Sequence, residues 1–373
     1  MEFVSLDYLA WLILFQILVW TVGNRMLPWC LCGVGFSFVI ITAPLSGTIL
    51  LVQALISYWF TETGRAGRGR YALLLIAGVS SIFLAFKYRT STSGLALPLG
   101  ISYYTFRLIH YIQERFRNNI RKHTMIEFLA YISFLPTLLI GPINRFPEFL
   151  TDVRRRTWNT ARFSRGLERV FYGYAQLIIL GNFVVNHVVR DWLINPARPD
   201  DFMSLVFQSM HMWLDLYVRF SAYSSIAIGI SLMAGFHVPE NFNYPFLATN
   251  IKFFWQRWHM SLTQWCRDYI FVPVSSVTRR PYFAIGLTMV VIGVWHELSL
   301  RYILWGLYHT AGIIVQGKWS AIRIRRGPVM GGWAGRVTCQ VSYGVSVGVT
   351  LVFVVLSFPI THVLNDMLKG LFQ

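Results

Sequence analysis

The sequence predicts an all-α, polytopic membrane protein of about ten or eleven membrane helices. Three observations predict it. Of its 373 residues, 55% are hydrophobic and 13% charged, where a soluble domain carries about 25% charged residues to cover its surface. Apolar segments recur along the chain, long and apolar on all sides, without the alternation of a membrane barrel. Basic residues collect in the stretches between them. The mean hydropathy is +0.50, and the repeated spans point to a single integral membrane domain over residues 1–373.

The apolar segments fall at 6–22, 30–45, 45–60, 71–86, 95–113, 124–141, 166–190, 202–235, 282–296, 299–317 and 338–360. Several reach the roughly 20 residues that cross a hydrocarbon core, and the shorter ones suit tilted, re-entrant or protein-buried helices. Residues 1–22 lack the basic start and small-residue cleavage site of a secretory leader, so the first segment is expected to remain as a membrane helix. The net charge of +17 comes from clusters: Arg65, Arg68 and Arg70; Arg115, Arg117, Arg121 and Lys122; Arg154, Arg155, Arg156, Arg162 and Arg165; Lys318, Arg323, Arg325 and Arg326. This is the pattern of cytoplasmic loops facing anionic lipid rather than of a nucleic-acid binder, and it offers an acidic soluble partner a docking surface.

One segment resists a simple crossing. The basic run at 154–165 follows the basic loop at 115–123 after a single apolar stretch, which would place the two on opposite sides. Pro136, Gly141 and Pro142 predict instead a broken or re-entrant segment over 124–141, tolerated where protein surrounds it.

Residues 236–273 differ in kind. FHVPENFNYPF is irregular and rich in Pro and Asn. A periodic stretch follows, in which Ile251, Phe254, Trp255, Trp258, Leu262 and Trp265 gather on one side of a helix while Lys252, Gln256, His259, Thr263 and Arg267 share another. The expectation is an amphipathic helix near the interface or lining an aqueous cavity, with His259 on its polar face.

Two histidines stand out in Trp-rich apolar surroundings, His259 and His296. An ionisable residue in the membrane is costly and points to function; the bland alternatives are a packed neutral imidazole at His296 and a tolerated polar-face residue at His259. A histidine titrates near neutrality, so it can take a hydroxyl proton and return it to a leaving group. No Gly-x-Ser-x-Gly elbow, HExxH pair or P-loop accompanies them. Cys30 and Cys32 lie too close for a usual metal pair, and Cys266 and Cys339 are isolated, so no metal is expected. The economical scheme is attack by an acceptor hydroxyl on an acyl thioester, with His296 as general base. Asn250, Gln256, Arg257 and His259 are placed to orient the acyl carbonyl. Trp258 and Trp295 flank the two histidines and complete the expected donor site.

LPLGISYYTF (97–106), GPINRFPEF (141–149), YSSIAIGISLMAGFHVPENFNYPF (223–246), ATNIKFFWQRWHMSLTQWCRDYIF (248–271) and GVWHELSLRYILWGLYH (293–309) resemble, in order, the membrane-bound O-acyltransferase (MBOAT) family. Within it they resemble the bacterial branch of the teichoic-acid D-alanyl transfer and alginate O-acetylation proteins. The resemblance implies an MBOAT-like ring of membrane helices with re-entrant and interfacial helices, in the bacterial cytoplasmic (inner) membrane. It also implies a cytoplasmic donor entrance and an extracytoplasmic acceptor entrance, with His296 as the family's invariant histidine and His259 as its second. No tightly bound cofactor is implied. The donor would be a thioester on the phosphopantetheine arm of a small acidic acyl-carrier protein, D-alanyl or a similar aminoacyl group being favoured, or acetyl-CoA for an exopolysaccharide O-acetyltransferase. An extracytoplasmic membrane-anchored or periplasmic acyltransferase- or esterase-like partner would complete delivery. The chain departs from the family pattern at Arg219, where an acidic residue is common, and at Glu297, which replaces the glycine of WHG. A transporter without acyl chemistry and an MBOAT acting on a lipid or protein hydroxyl are the rival readings.

Overall fold

The computed structural model describes residues 6–63, 68–194, 201–325 and 333–371, and Arg65 and Arg326 of the basic clusters lie outside them. Every regular element among the described residues is helical. In chain order they are α1 (Leu6–Thr21), α2 (Leu27–Thr42), α3 (Pro44–Thr63), α4 (Arg68–Ser93), α5 (Ile101–Phe116), α6 (Met125–Ile132), α7 (Phe146–Arg155) and α8 (Thr160–Ala175). There follow α9 (Arg190–Leu193), α10 (Phe202–Met233), α11 (Ile251–Arg257), α12 (Met260–Cys266), α13 (Val272–Thr278), α14 (Pro281–His296), α15 (Leu300–Arg325) and α16 (Trp333–Leu371).

Four helical stretches are long and apolar enough to cross a membrane: Pro44–Thr63, Gly69–Ser93, Phe202–Met233 and Gln340–Gly370. Asp7–Thr21, Leu27–Thr42 and Pro281–His296 are apolar but shorter. The protein is therefore an all-α, polytopic membrane protein, with four long candidate spans and three shorter apolar helices among the described residues. By its internal contacts the chain forms two compact units, Met1–Leu177 with Phe220–Glu240, and Ile178–Arg219 with Asn241–Gln373.

The first unit holds the predicted break. The apolar stretch 124–141 forms only the short α6 and a single 3₁₀ turn at Leu135–Thr137 before the chain runs irregularly to α7. Helix α6 starts with a capping box, in which Thr124 accepts from the Glu127 amide and Glu127 from the Thr124 amide, which satisfies two orphan donors. Past its end the backbone needs other partners, and Arg107 of α5 supplies them. Its fully buried guanidinium donates to the carbonyls of Tyr131, Ile132 and Thr137 and to the Thr137 hydroxyl. Non-helical backbone thus stays buried with its carbonyls satisfied.

Several of the basic residues read as loop charges are committed inside this unit. Arg115 binds both carboxylate oxygens of Glu62, and Arg154 those of Glu127. Arg156 is 7% exposed, donates to the carbonyls of Val19 and Ala234, and lies 4.4 Å over the Trp20 ring. It is a buried clamp rather than a surface charge.

The second unit is organised by the α14–α15 hairpin. A Cβ at Gly293 would overlap the Tyr302 carbonyl oxygen, and one at Gly306 would lie 2.6 Å from that of Met289. The two backbones are therefore in direct contact, as small residues allow between membrane helices. This contact fixes the C-terminal end of α14 against the first turns of α15.

Candidate active site

His296 is the last residue of α14, and Glu297 follows in extended backbone (φ −155°). The hairpin surrounds the imidazole with rings: Trp295 at 4.6 Å between centroids, Trp305 at 5.8 Å and Tyr302 stacked at 6.0 Å. Its outer side is exposed. Glu297 is exposed as well, and its backbone lies in a region open to any residue, so the carboxylate stands beside the base without strain.

His259 is arranged differently. The stretch 251–271 is not one amphipathic helix, as its periodicity predicts. Helix α11 ends at Arg257, His259 takes the left-handed conformation (φ 42°, ψ 55°), α12 restarts at Met260, and a wide π-helical turn follows at Arg267–Phe271. The cause is tertiary. Asn243 donates its amide to the Arg257 carbonyl, and Met260 donates to the carbonyl of Asn241. The irregular segment before α11 thus grips the chain on both sides of His259 and holds a conformation that costs a non-glycine residue about 1 kcal/mol or more.

The break buries His259 to 2% exposure instead of presenting it on a polar face. Asn241 Oδ1 accepts from the Ser261 hydroxyl at 2.6 Å and the Ser261 amide at 3.4 Å, and lies 3.3 Å from His259 Nδ1. An oxygen that accepts from an amide cannot donate to the ring, so Nδ1 carries the proton and Nε2 the lone pair. Burial, reinforced by His296, disfavours the charged form of this imidazole. Trp295 joins the two histidines, 5.9 Å from His259 and 4.6 Å from His296.

A cavity of about 810 Å³ lies on the same helices, and its lining includes neither histidine nor Trp295. Three helices line it with regular stripes: Lys252, Trp255 and Gln256 on α11; Ile285, Thr288, Met289 and Ile292 on α14; Ile313, Gln316, Gly317 and Ser320 on α15. Residues three or four apart share a helix face. The α14 stripe therefore continues toward His296 and the α15 stripe back toward His309 and Trp305, whereas α11 ends before His259. Of the lining residues, Lys252, Gln256, Arg267, Gly317 and Tyr282 are exposed, whereas Trp255, Cys266, Met289 and Ile292 are buried. The exposed part of the lining thus carries two basic residues and the buried part is apolar.

Two of the five expected donor-site residues line the cavity, and Arg257, Trp258 and Trp295 do not. Asn250 and Gln256 line the cavity, as do Thr263 and Arg267 from the predicted polar face. Asn250 also caps α11, accepting from the Phe253 amide at 2.9 Å. Arg257 ends α11 without appearing in the lining. Trp258 lies elsewhere, in an aromatic core with Phe254 (stacked at 5.5 Å), Trp213 (5.0 Å) and Phe242 (5.2 Å). Asn241 and His309 are absent from the sequence expectations. Asn241 sits 18 residues before His259, so no local spacing links them; His309 continues the periodic α15 stripe, which is a readable signal. Among the described residues no group of three or more His, Cys, Asp or Glu could hold a metal ion.

Asn241→Ala leaves three donors around His259 and Ser261 without their acceptor, at about 1–3 kcal/mol for each that stays buried and unpaired. The expected result is at least about a tenfold fall in turnover as His259 loses its position, measured with the melting temperature on the same preparation.

The family model of MBOAT, the membrane-bound O-acyltransferase family, matches residues 36–333, and the chain belongs to that family. It is 32% identical over 264 residues to the probable alginate O-acetylase AlgI of Pseudomonas aeruginosa, covering 69% of this chain and 48% of that protein. It is 33% identical over 229 residues to the teichoic acid D-alanyltransferase of Bacillus subtilis (57% and 56%) and 26% identical over 268 residues to the peptidoglycan O-acetyltransferase of Helicobacter pylori (64% and 50%). The chain spans about half the length of these curated relatives. Membership supports acyltransferase-type chemistry and a multi-pass place in the bacterial cytoplasmic membrane.

Proposed function

We propose that this protein moves an acyl group from a cytoplasmic thioester to a hydroxyl of an extracytoplasmic cell-envelope polymer or of a partner protein that serves one. The observation that carries the reading is a cavity with Lys252 and Arg267 at its exposed lining, whose α14 face continues in helical spacing to an exposed histidine. Arg279 and Arg280 precede α14 and Lys318 lies on the matching part of α15, and such charges favour the cytoplasmic side. From Tyr282, in the exposed lining, to His296, α14 rises about 21 Å at about 1.5 Å per residue. A phosphopantetheine arm of about a dozen bonds reaches about 15 Å when extended, so its phosphate has to sit about 6 Å inside the Tyr282 level for the acyl end to meet His296. Lys252 and Arg267 stand where the phosphate would rest.

In this reading His296 takes the proton of the acceptor hydroxyl as its oxygen attacks the thioester carbon. The carbon–sulfur bond breaks, and the thiolate leaves with the proton that His296 returns. His259, neutral and fixed by Asn241, faces the same chemistry from the buried side and positions the donor. The arm is common to a carrier protein and to coenzyme A, so the cavity serves either. An aminoacyl donor on a small acidic carrier, docking at Arg279, Arg280 and Lys318, is the first reading, with an extracytoplasmic acyltransferase- or esterase-like partner completing delivery. Acetyl transfer to an exopolysaccharide is the second, favoured by the similarity to two proteins named for O-acetylation.

Reconstitution into vesicles with labelled D-alanyl carrier protein and labelled acetyl-CoA tests the proposal. Loss of label from one donor, dependent on His296, is the expected result and names the acyl group. Consumption of neither, or solute movement that survives loss of His296, would sink it in favour of a transporter.

A further inference from the structure

The α15 stripe leads past the cavity to three rings in mutual contact. Trp305 and His309 lie 4.5 Å apart between centroids, Trp255 and His309 5.2 Å, and Trp255 and Trp305 5.7 Å. All three are buried, at 2%, 0% and 6% exposure for Trp305, His309 and Trp255. Neither indole nitrogen has a hydrogen-bond partner among the described residues, and neither nitrogen of His309 has one. Native proteins seldom bury such atoms unpaired, because each gives up its hydration for nothing. Here four of them sit on three touching rings.

The cluster is next to the chemistry. Trp305 is also 5.8 Å from the His296 ring, and Trp255 forms part of the cavity wall. Both indoles can only donate, and a neutral imidazole donates once. Three donors suit a guest that only accepts.

We infer that Trp255, Trp305 and His309 form the pocket that receives the carbonyl oxygen of the acyl donor and holds it as an oxyanion during transfer. The inference rests on the acyl-thioester reading above. As the acceptor oxygen bonds to the carbonyl carbon, its proton passes to His296 and the π pair moves onto the carbonyl oxygen, which takes hydrogen bonds from the pocket. The pair then returns, the carbon–sulfur bond breaks, and the thiolate accepts the proton from His296. In the free chain the four nitrogens are closed off from solvent, and Trp255 is the one of the three rings that lines the cavity.

Trp305→Phe, Trp255→Phe and His309→Phe each remove donors while keeping a ring in place. Each is expected to lower kcat by about 10²–10³-fold, the loss seen when one oxyanion donor is removed, with KM for the donor held. A purely packing role would not move a second readout. The carbonyl stretch of ¹³C-labelled acetyl-CoA or D-alanyl carrier protein, bound to H296A protein that cannot turn it over, is expected to fall in wavenumber, and the fall to shrink when Trp305→Phe or His309→Phe is added. Wild-type kcat in these variants overturns the inference alone. So does a loss of activity that tracks melting temperature while the carbonyl band stays unchanged, since internal water or packing then occupies the rings. Consumption of neither donor by the wild type overturns the functional reading and this inference with it.

Discussion

His296→Ala is expected to lower acyl transfer by about 10²–10⁴-fold, the range that positioned proton transfer contributes, while the donor still binds. The separation follows from placement. His296 is not among the residues that line the cavity, so the lining remains when the imidazole is removed. The exposed position of His296 also means that alanine leaves no deep void and that the variant folds. Turnover of a labelled thioester and equilibrium binding of the same donor check the two halves separately. Unchanged transfer would end the general-base role. His259→Ala is expected to cost less turnover and to disturb donor placement more, because that ring is buried, neutral and held by Asn241.

Arg107→Met carries the largest expected effect on stability. The guanidinium is fully buried and supplies donors to three carbonyls and a hydroxyl of the broken segment after α6. Methionine keeps much of the volume and none of the donors. Removing one member of a buried charged network costs about 3–5 kcal/mol, here as carbonyls left without partners in an apolar setting. At about 2–4 °C per kcal/mol for a unit of this size, melting should fall by about 10 °C or more in detergent. A melting temperature at the wild-type value would show that the break is held by something else. Lysine, which keeps the charge but not the planar fork, should recover only part of the loss.

The two histidines and their Trp-rich settings were legible in the sequence, because ionisable residues among apolar ones are rare enough to be informative. So were the break at 133–145, announced by Pro136, Gly141 and Pro142, and the irregular segment before Asn250. Periodicity grouped Lys252, Gln256, Thr263 and Arg267, which line the cavity, with His259, which does not, and it implied one helix. It misses the left-handed turn at His259 because that turn is made by Asn241 and Asn243, through backbone bonds that no local spacing encodes. The same blindness reversed the surroundings of the histidines, with the expected polar-face residue buried and the expected membrane residue exposed. Charge clusters were legible as clusters, yet not as partners: only the fold shows that Arg115, Arg154 and Arg156 are spent inside the first unit. Trp258 belongs to the core for a related reason, since its neighbours Trp213 and Phe242 come from distant segments.

The backbone contact of Gly293 with Tyr302 and of Gly306 with Met289 has a consequence for where the two reactants meet. It makes α14 and α15 a stiff ruler, with Tyr282 at one graduation and His296 at another. Helix α14, at 16 residues, is about 24 Å long, short of the roughly 30 Å of a hydrocarbon core. Under the proposed transfer, a donor arm threaded from one leaflet and a hydroxyl offered from the other would need to share only a single carbon atom, and neither would have to cross. Transfer across the bilayer would then be a change of bond rather than a journey, with the length of one glycine-locked hairpin deciding which arms can reach.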